Sequence, residues 1–220
     1  MPGPILTTFT LGPFQTNCFI VTPPQESKPT KKCWIFDCGF DPQPMLEHIK
    51  DRQLEPEAVF LTHCHSDHIA GLDLLRSQCG DLPVWCHPAE AQWCTDPMLN
   101  LSGFIDQPIT VAAPTDMLTP GQDLILDGET WNVLHTPGHS PGSVTFVHSE
   151  SQQAIVGDTL FAQSIGRFDF PTSDPTDLKA SLFDVLMKLP DEIAIHPGHG
   201  PSTTIGIERA TNPFLKNAGW

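Results

Sequence analysis

The stretch Thr62-His63-Cys64-His65-Ser66-Asp67-His68 places four candidate metal ligands, His63, His65, Asp67 and His68, within six positions. Imidazole nitrogen and carboxylate oxygen are donors that zinc accepts, and they also suit iron or manganese. His63 and His65 are two apart, so in extended chain both rings point the same way. Asp67 and His68 follow where the chain is expected to turn, and can face a second point nearby. One loop can thus feed two adjacent metals. Two dications sharing a water lower its pKa toward neutrality, which makes a hydroxide available at pH 7 to attack a carbonyl carbon. The plain alternative, a solvated histidine-rich turn, gives no reason for similar residues to recur downstream.

They do recur. His139 stands in Pro137-Gly138-His139, Asp158 in Gly157-Asp158, and His199 in Pro197-Gly198-His199. Each follows an apolar run by one to four residues. Glycine lets the backbone turn tightly and bring a short side chain toward a metal. Taken singly, each is an ordinary turn. In this order after His63-x-His65-x-Asp67-His68 they read as one ligand set. Cys64 lies between two of the histidines and is not taken as a ligand.

The elements that must position these residues come next. The apolar run 58–61 reads as a buried strand and 69–75 as a helix, so the ligand loop joins a strand end to a helix start. Before it, 5–11, 17–22 and 33–36 read as strands. Residues 44–53 suit a helix that buries Met45, Leu46 and Ile49. The segment 23–30 reads as a polar hairpin loop. After the loop, 83–86 is a short strand. Residues 88–108 are irregular, with a short helix expected at 89–94. They form either a wall of the substrate site or a surface excursion. Strands at 123–126 and 130–135 make a hairpin over Asp127-Gly128. Strands follow at 143–147 and 153–156. Asp174 can cap a helix with Pro175 at its first position, burying Leu178, Leu182, Val185, Leu186 and Leu189. A last strand at 192–195 and a short helix at 205–210 complete the pattern. Each half has strands for a sheet and amphipathic helix to cover it, which predicts two packed sheets with helices outside.

Length and composition bound the function. The 220 residues suffice for one sizeable domain, and no composition break marks a second, so residues 1–220 are expected to form a single domain. There is no run of eighteen apolar residues and no secretory signal, and the expected location is cytoplasmic. A net charge of −15 argues against nucleic acid as a partner. It leaves anionic substrates open, because bound dications change the local field. Seven scattered cysteines without a CxxC pair read as buried thiols in a reducing compartment.

On these motifs the sequence resembles the metallo-β-lactamase-fold superfamily over essentially its full length. The resemblance implies an α+β fold, a four-layer αββα sandwich with a dinuclear site at one edge of its sheets. It implies that His63, His65 and His139 hold one divalent ion, Zn2+ first with Fe or Mn as alternatives. Asp67, His68 and His199 would hold a second, with Asp158 bridging. Asp37, in Asp37-Cys38-Gly39, matches a position that braces the metal loop from behind the ligands. His196 competes with His199, and the Gly198-His199-Gly200 setting favours His199. His48, His87, His135 and His148 match no ligand position.

Within the superfamily the likeness is to glyoxalase II-like hydrolases, carried by 157–161, Gly166-Arg167 and 208–215. That implies hydrolysis of a thioester such as S-D-lactoylglutathione, with Asp67 orienting the hydroxide. The chain departs from the full-length enzyme: it stops soon after residue 215, so no C-terminal helical domain is expected. It has no tyrosine. Asp169 and Pro201 stand where glutathione-holding tyrosines would fall, and Arg167 aligns with a lysine of that subsite. Arg167 is the expected substrate contact, and the partner is a small-molecule thioester. The stretch Gly166-Arg167-Phe168-Asp169-Phe170 also resembles the mono-iron persulfide dioxygenases, which makes an oxidoreductase the alternative reading. Acyl group, thiol and oligomeric state stay open at this point.

Overall fold

A computed structural model describes residues 3–24, 31–105 and 107–216. Most of the expected polar loop, residues 25–30, lies outside them. The chain divides into two compact units, residues 1–118 with 125–130, and residues 119–124 with 131–220.

The first unit is built on a six-stranded sheet in the order β1 (Ile5–Leu11), β2 (Thr16–Thr22), β3 (Lys32–Phe36), β4 (Glu55–Phe60), β5 (Val84–Cys86) and β6 (Asp116–Met117). β1, β2 and β3 pair antiparallel; from β3 onward the pairs are parallel. Parallel neighbours need crossovers. α1 (Gln43–Arg52) joins β3 to β4, the pair α2 (Ser66–Ile69) and α3 (Leu72–Cys79) joins β4 to β5, and the segment after Cys86 joins β5 to β6. Side chains alternate along each strand. Ile20, Ile35, Val59 and Val84 therefore join one core with Met45, Leu46 and Ile49 of α1 and Leu72 and Leu75 of α3. The intervening Trp34, Phe36, Phe60 and Trp85 form an aromatic ladder on the other face. Trp34 and Phe60 have ring centroids 4.8 Å apart, and Phe36 and Phe60 5.5 Å. Such cross-strand ring pairs stabilise the register beyond their buried area.

One helix was expected from Ile69. The structure instead starts it at Ser66, three residues earlier, and breaks it at Ala70-Gly71. Gly71 is pressed on the 38–42 loop: its N–H donates to the Cys38 carbonyl at 2.8 Å, and a Cβ there would run into Gly39 and Cys38. The helix expected at 89–94 is two 3-10 turns, Pro88–Glu90 and Trp93–Thr95. The hairpin turn at Asp127-Gly128 has both residues at positive φ, 52° and 97°. That is the type I′ geometry its sequence calls for.

The second six-stranded sheet runs β14 (Thr203–Thr204), β13 (Ala194–Pro197), β10 (Gln153–Gly157), β9 (Val144–His148), β8 (Glu129–His135) and β7 (Asp123–Leu126). β10 and β13 are parallel. Their crossover holds a small hairpin, β11 (Leu160–Phe161) with β12 (Ser164–Ile165), and then α4 (Pro175–Ala180). Asp174 caps α4, its carboxylate accepting from the N–H groups of Thr176 and Asp177. The helix continues as a π turn, Ser181–Val185, and a 3-10 turn, Leu186–Lys188. Leu178, Leu182 and Leu186 pack on Val156, Ile193 and Ile195. The wider π turn rotates the later face, so Val185 and Leu189 are half-buried rather than buried. The last strand begins two residues later than the apolar run suggested. α5 (Ile205–Thr211) and α6 (Pro213–Lys216) follow. No helix among the described residues is long and apolar enough to cross a membrane.

Candidate metal centre

The first unit carries four of the candidate ligands. Beyond β4 the chain bends at Thr62 and reaches His65, whose φ of −67° and ψ of 150° make it the N-cap of α2. Asp67 and His68 therefore lie in the first helical turn, where a carboxylate is favoured by the helix dipole. His63, His65 and His68 are buried. A ring nitrogen of His63 lies within 4.8 Å of one of His65 and of one of His68.

Hydrogen bonds decide which nitrogen each ring presents. Asp37, at φ 60° just after β3, is fully buried. Its Oδ1 accepts from the Thr62 N–H at 2.8 Å, and its Oδ2 accepts from Thr62 Oγ1 at 2.8 Å. His68 Nδ1 lies 2.8 Å from the same Oδ2. An ionised carboxylate only accepts. His68 Nδ1 therefore carries the proton, and Nε2 is its lone-pair nitrogen. The Thr62 hydrogen is committed to Asp37, so Thr62 Oγ1 accepts from His63 Nδ1 at 3.1 Å. His63 too presents Nε2. Such outer partners orient metal-ligating imidazoles and raise their basicity. Asp67 is held by Thr16, whose Oγ1 donates to Oδ2 at 2.9 Å, and His68 Nε2 lies 3.5 Å from that oxygen.

The irregular segment braces this loop. Glu90 is fully buried and its Oε2 accepts from the Cys64 N–H at 2.6 Å. The Asn100 carbonyl accepts from the Ser66 N–H at 2.9 Å. The Trp93 ring stacks on His65 with centroids 5.6 Å apart. Sequence reasoning missed all three. The one available signal was an acid, Glu90, between two alanines and three residues before a tryptophan. Cys64 is buried; hydrogen bonding to Cys86 and Cys94, then burial, hold its thiol well above the ordinary range.

The second unit carries the other three candidate ligands. Gly138 has φ 128° and a Cβ there would run into the Leu178 backbone, so only glycine delivers His139 from this turn. His139 Nδ1 faces the Arg167 carbonyl at 2.9 Å. A carbonyl only accepts, so His139 also presents Nε2, which lies 3.6 Å from Asp158 Oδ2. His199 Nε2 lies 3.4 Å from the same oxygen. One carboxylate oxygen thus stands between two imidazole nitrogens. The Gly198 N–H donates to the Gly157 carbonyl at 2.9 Å and ties the two loops together. Gly166 presses on the Asp158 backbone and leaves no room for a side chain.

Arg167 forms a two-pronged pair with Asp169, Nε to Oδ1 and Nη2 to Oδ2, each 2.9 Å. Its guanidinium lies 4.2 Å over the Phe170 ring, and that ring stands 5.7 Å from His139. His196 Nδ1 pairs with Ser202 Oγ at 3.0 Å, and burial pushes its pKa down to about 4. Other histidines have local structural contacts: His48 on Phe9, His87 to the Ala89 N–H, His135 to the Pro141 carbonyl, and His148 to Ser151. All seven cysteines are free, and burial pushes the Cys33 thiol up to about 12.

The donor chemistry fits divalent metals. His63, His68 and His139 each have Nδ1 occupied as a donor and turn a lone pair toward a neighbouring carboxylate or imidazole. Lone pairs so gathered repel one another unless a cation or proton lies among them.

The family model described as the metallo-beta-lactamase superfamily matches residues 11–199, a span that runs through both units and includes all seven expected ligands. A curated relative from Bacillus subtilis, named probable metallo-hydrolase YqgX, is 36% identical over 206 residues, 93% of this chain and 94% of its own. The hydroxyacylglutathione hydrolase GloC of Haemophilus influenzae is 32% identical over 206 residues, again 93% and 94%. Among solved structures, the BLEG-1 B3 metallo-beta-lactamase superposes with a TM-score of 0.89 at 40% identity, covering 96% of this chain and 99% of that one. TTHA1623 in a di-iron-bound form does so with a TM-score of 0.79 at 38% identity, covering 95% and 100%. The α+β fold is that of these proteins, and the chain belongs to the metallo-beta-lactamase superfamily.

Proposed function

We propose that this chain is a metal-dependent hydrolase of small-molecule thioesters, working at a dinuclear centre. His63, His65 and His139 would hold one ion and Asp67, His68 and His199 the other, with Asp158 available to both. The observation that carries this reading is the hydrogen bonding behind the ligands, which commits Nδ1 of His63, His68 and His139 and presents Nε2. The names of two relatives, a probable metallo-hydrolase and a hydroxyacylglutathione hydrolase, support the reaction class, and a di-iron-bound relative supports two ions. Divalent ions, zinc first with iron or manganese as alternatives, would acidify a water and polarise a carbonyl oxygen.

The chain's own residues do the rest. Thr16 holds one oxygen of Asp67, so the carboxylate has a fixed direction in which to orient a water proton. Asp37 and Thr62 keep His63 and His68 in the ligating tautomer. The leaving thiolate, with a free-thiol pKa near ~8.5, needs no general acid. Arg167 is the anion contact beside His139. The seven free cysteines, six of them buried, support a reducing, cytoplasmic setting. The net charge of −15 supports a small-molecule partner over nucleic acid.

The test is thiol release from S-D-lactoylglutathione by zinc-loaded protein, its loss on chelation and its return on adding metal. A β-lactam and a glutathione persulfide run in parallel. Faster β-lactam turnover, or oxygen uptake with the persulfide and no thioester cleavage, would contradict the reading.

A further inference from the structure

We infer that Glu208 is a positioning residue of the metal centre: acting through the β11–β12 hairpin, it fixes where Asp158, His139 and His199 stand. This rests on the metal-centre reading above. The segment 158–167 meets all three of these ligands. Asp158 opens it, with Oδ2 standing 3.6 Å from His139 Nε2 and 3.4 Å from His199 Nε2. Phe161 sets its ring against His199, centroids 6.1 Å apart. Gly166 packs on the Asp158 backbone and beside His139. The Arg167 carbonyl accepts from His139 Nδ1 at 2.9 Å. A shift of this hairpin therefore moves or releases all three side chains.

The hairpin cannot hold itself. Its strands are two residues each, and a two-stranded hairpin is marginal alone. The turn between them puts Gln163 at φ 60°, a region that side chains disfavour. α5 supplies the restraint. Glu208 is fully buried, and three donors converge on its carboxylate. Oε2 accepts from the Gln163 N–H at 2.8 Å, at the strained turn, and from Asn212 Nδ2 at 2.9 Å. Oε1 accepts from Thr203 Oγ1 at 2.7 Å. Thr203 opens β14, and the loop that carries His199 runs between β13 and β14. One carboxylate thus ties the hairpin to the far end of the His199 loop. Asn212 extends the clamp. Its Oδ1 accepts from the Phe214 N–H at 3.0 Å, so its amide nitrogen is the group that faces the hairpin and donates to the Ser164 carbonyl at 2.9 Å. A carboxylate is costly to bury. Docking of α5 does not require it, because Ile205 sits in the core and Arg209 donates to the carbonyls of Met187 and Leu189. What Glu208 adds is the hold on the hairpin. Backbone strain held by outside contacts is a mark of functional sites.

The test has three readouts on the full chain. They are zinc affinity by competition with a chromophoric chelator, the visible bands of the cobalt-substituted protein, which follow ligand geometry, and the urea midpoint of the metal-stripped protein. Glu208→Ala should weaken zinc binding about 10- to 100-fold at one site, the range for losing an outer partner, and should shift the cobalt bands. Glu208→Gln keeps an acceptor for the Gln163 N–H and should return both toward those of the unaltered chain. Arg209→Ala loosens the same helix from its other side. It should lower the urea midpoint and leave zinc affinity and the cobalt bands unchanged. Should Glu208→Ala fail to fold, Thr203→Val keeps the local shape and frees only Oε1. It should shift the same readouts in the same direction by less, and an unmoved spectrum there counts against the inference. Zinc affinity and bands unmoved by Glu208→Ala, or moved as far by Arg209→Ala, would overturn the inference while leaving the metal-centre reading intact. Binding of neither zinc nor cobalt by the unaltered chain would sink both.

Discussion

Asp37 governs two ligands at once, His68 directly and His63 through the Thr62 hydroxyl, and every bond in that relay is 3.1 Å or shorter. Thr62→Val keeps the shape and removes the relay to His63. Metal affinity measured by competition with a chromophoric chelator should fall about 10- to 100-fold at one site, the range seen when an outer partner is lost. Unchanged affinity would show that His63 needs no such orientation. His199→Ala should lose one ion and most activity, whereas His196→Ala should keep both ions, since His196 is engaged by Ser202. Elemental analysis of the two variants decides, and the reverse pattern would move the last ligand to His196. The candidate ligands were singled out in the sequence by local marks, a two-residue spacing and a flanking glycine, and Asp37 by the resemblance; the structure gives Asp37 hydrogen bonds to Thr62 and His68. Glu90 carried no such mark. Its partner, the Cys64 N–H, is 26 positions away, and only the folded chain joins them.

At the scale of elements, the clearest agreement is α4. Asp174 and Pro175 marked its start, and the carboxylate bonds two of the N–H groups that a helix leaves open. Asp174→Ala should lower stability by about 1 kcal/mol, read from chemical denaturation. A loss near zero would mean that packing of Leu178 and Leu182 alone fixes the helix. The irregular 88–105 segment is the converse case. It has no clear period, and the short helix expected at 89–94 proved to be two 3-10 turns, yet the segment holds Glu90, Trp93 and Asn100 against the ligand loop. Glu90→Ala leaves the buried Cys64 N–H without its acceptor and should cost about 1–3 kcal/mol. Glu90→Gln, which keeps an acceptor oxygen, should recover most of that. Equal losses in the two would point to charge rather than the hydrogen bond. The break at Ala70-Gly71 was likewise invisible locally, because Gly71 is needed for an approach to Cys38 and Gly39 some thirty residues earlier.

For the molecule as a whole, the resemblance carried by the His and Asp motifs named the superfamily that the family model matches over residues 11–199, while the strand and helix pattern suggested only two packed sheets with helices outside. The short strands β6, β11, β12 and β14, each two residues long, were not legible, because two residues show no alternation. The candidate ligands are drawn from both halves of the sequence, so the central proposal is one about the whole chain: two ions, seven candidate ligands, one hydrolytic activity. It is tested most directly by titrating zinc into chelator-stripped protein while following thiol release from S-D-lactoylglutathione. The account predicts activity that rises with metal and levels off at two equivalents per chain. A plateau at one equivalent, or no thiol release at any loading, would contradict it.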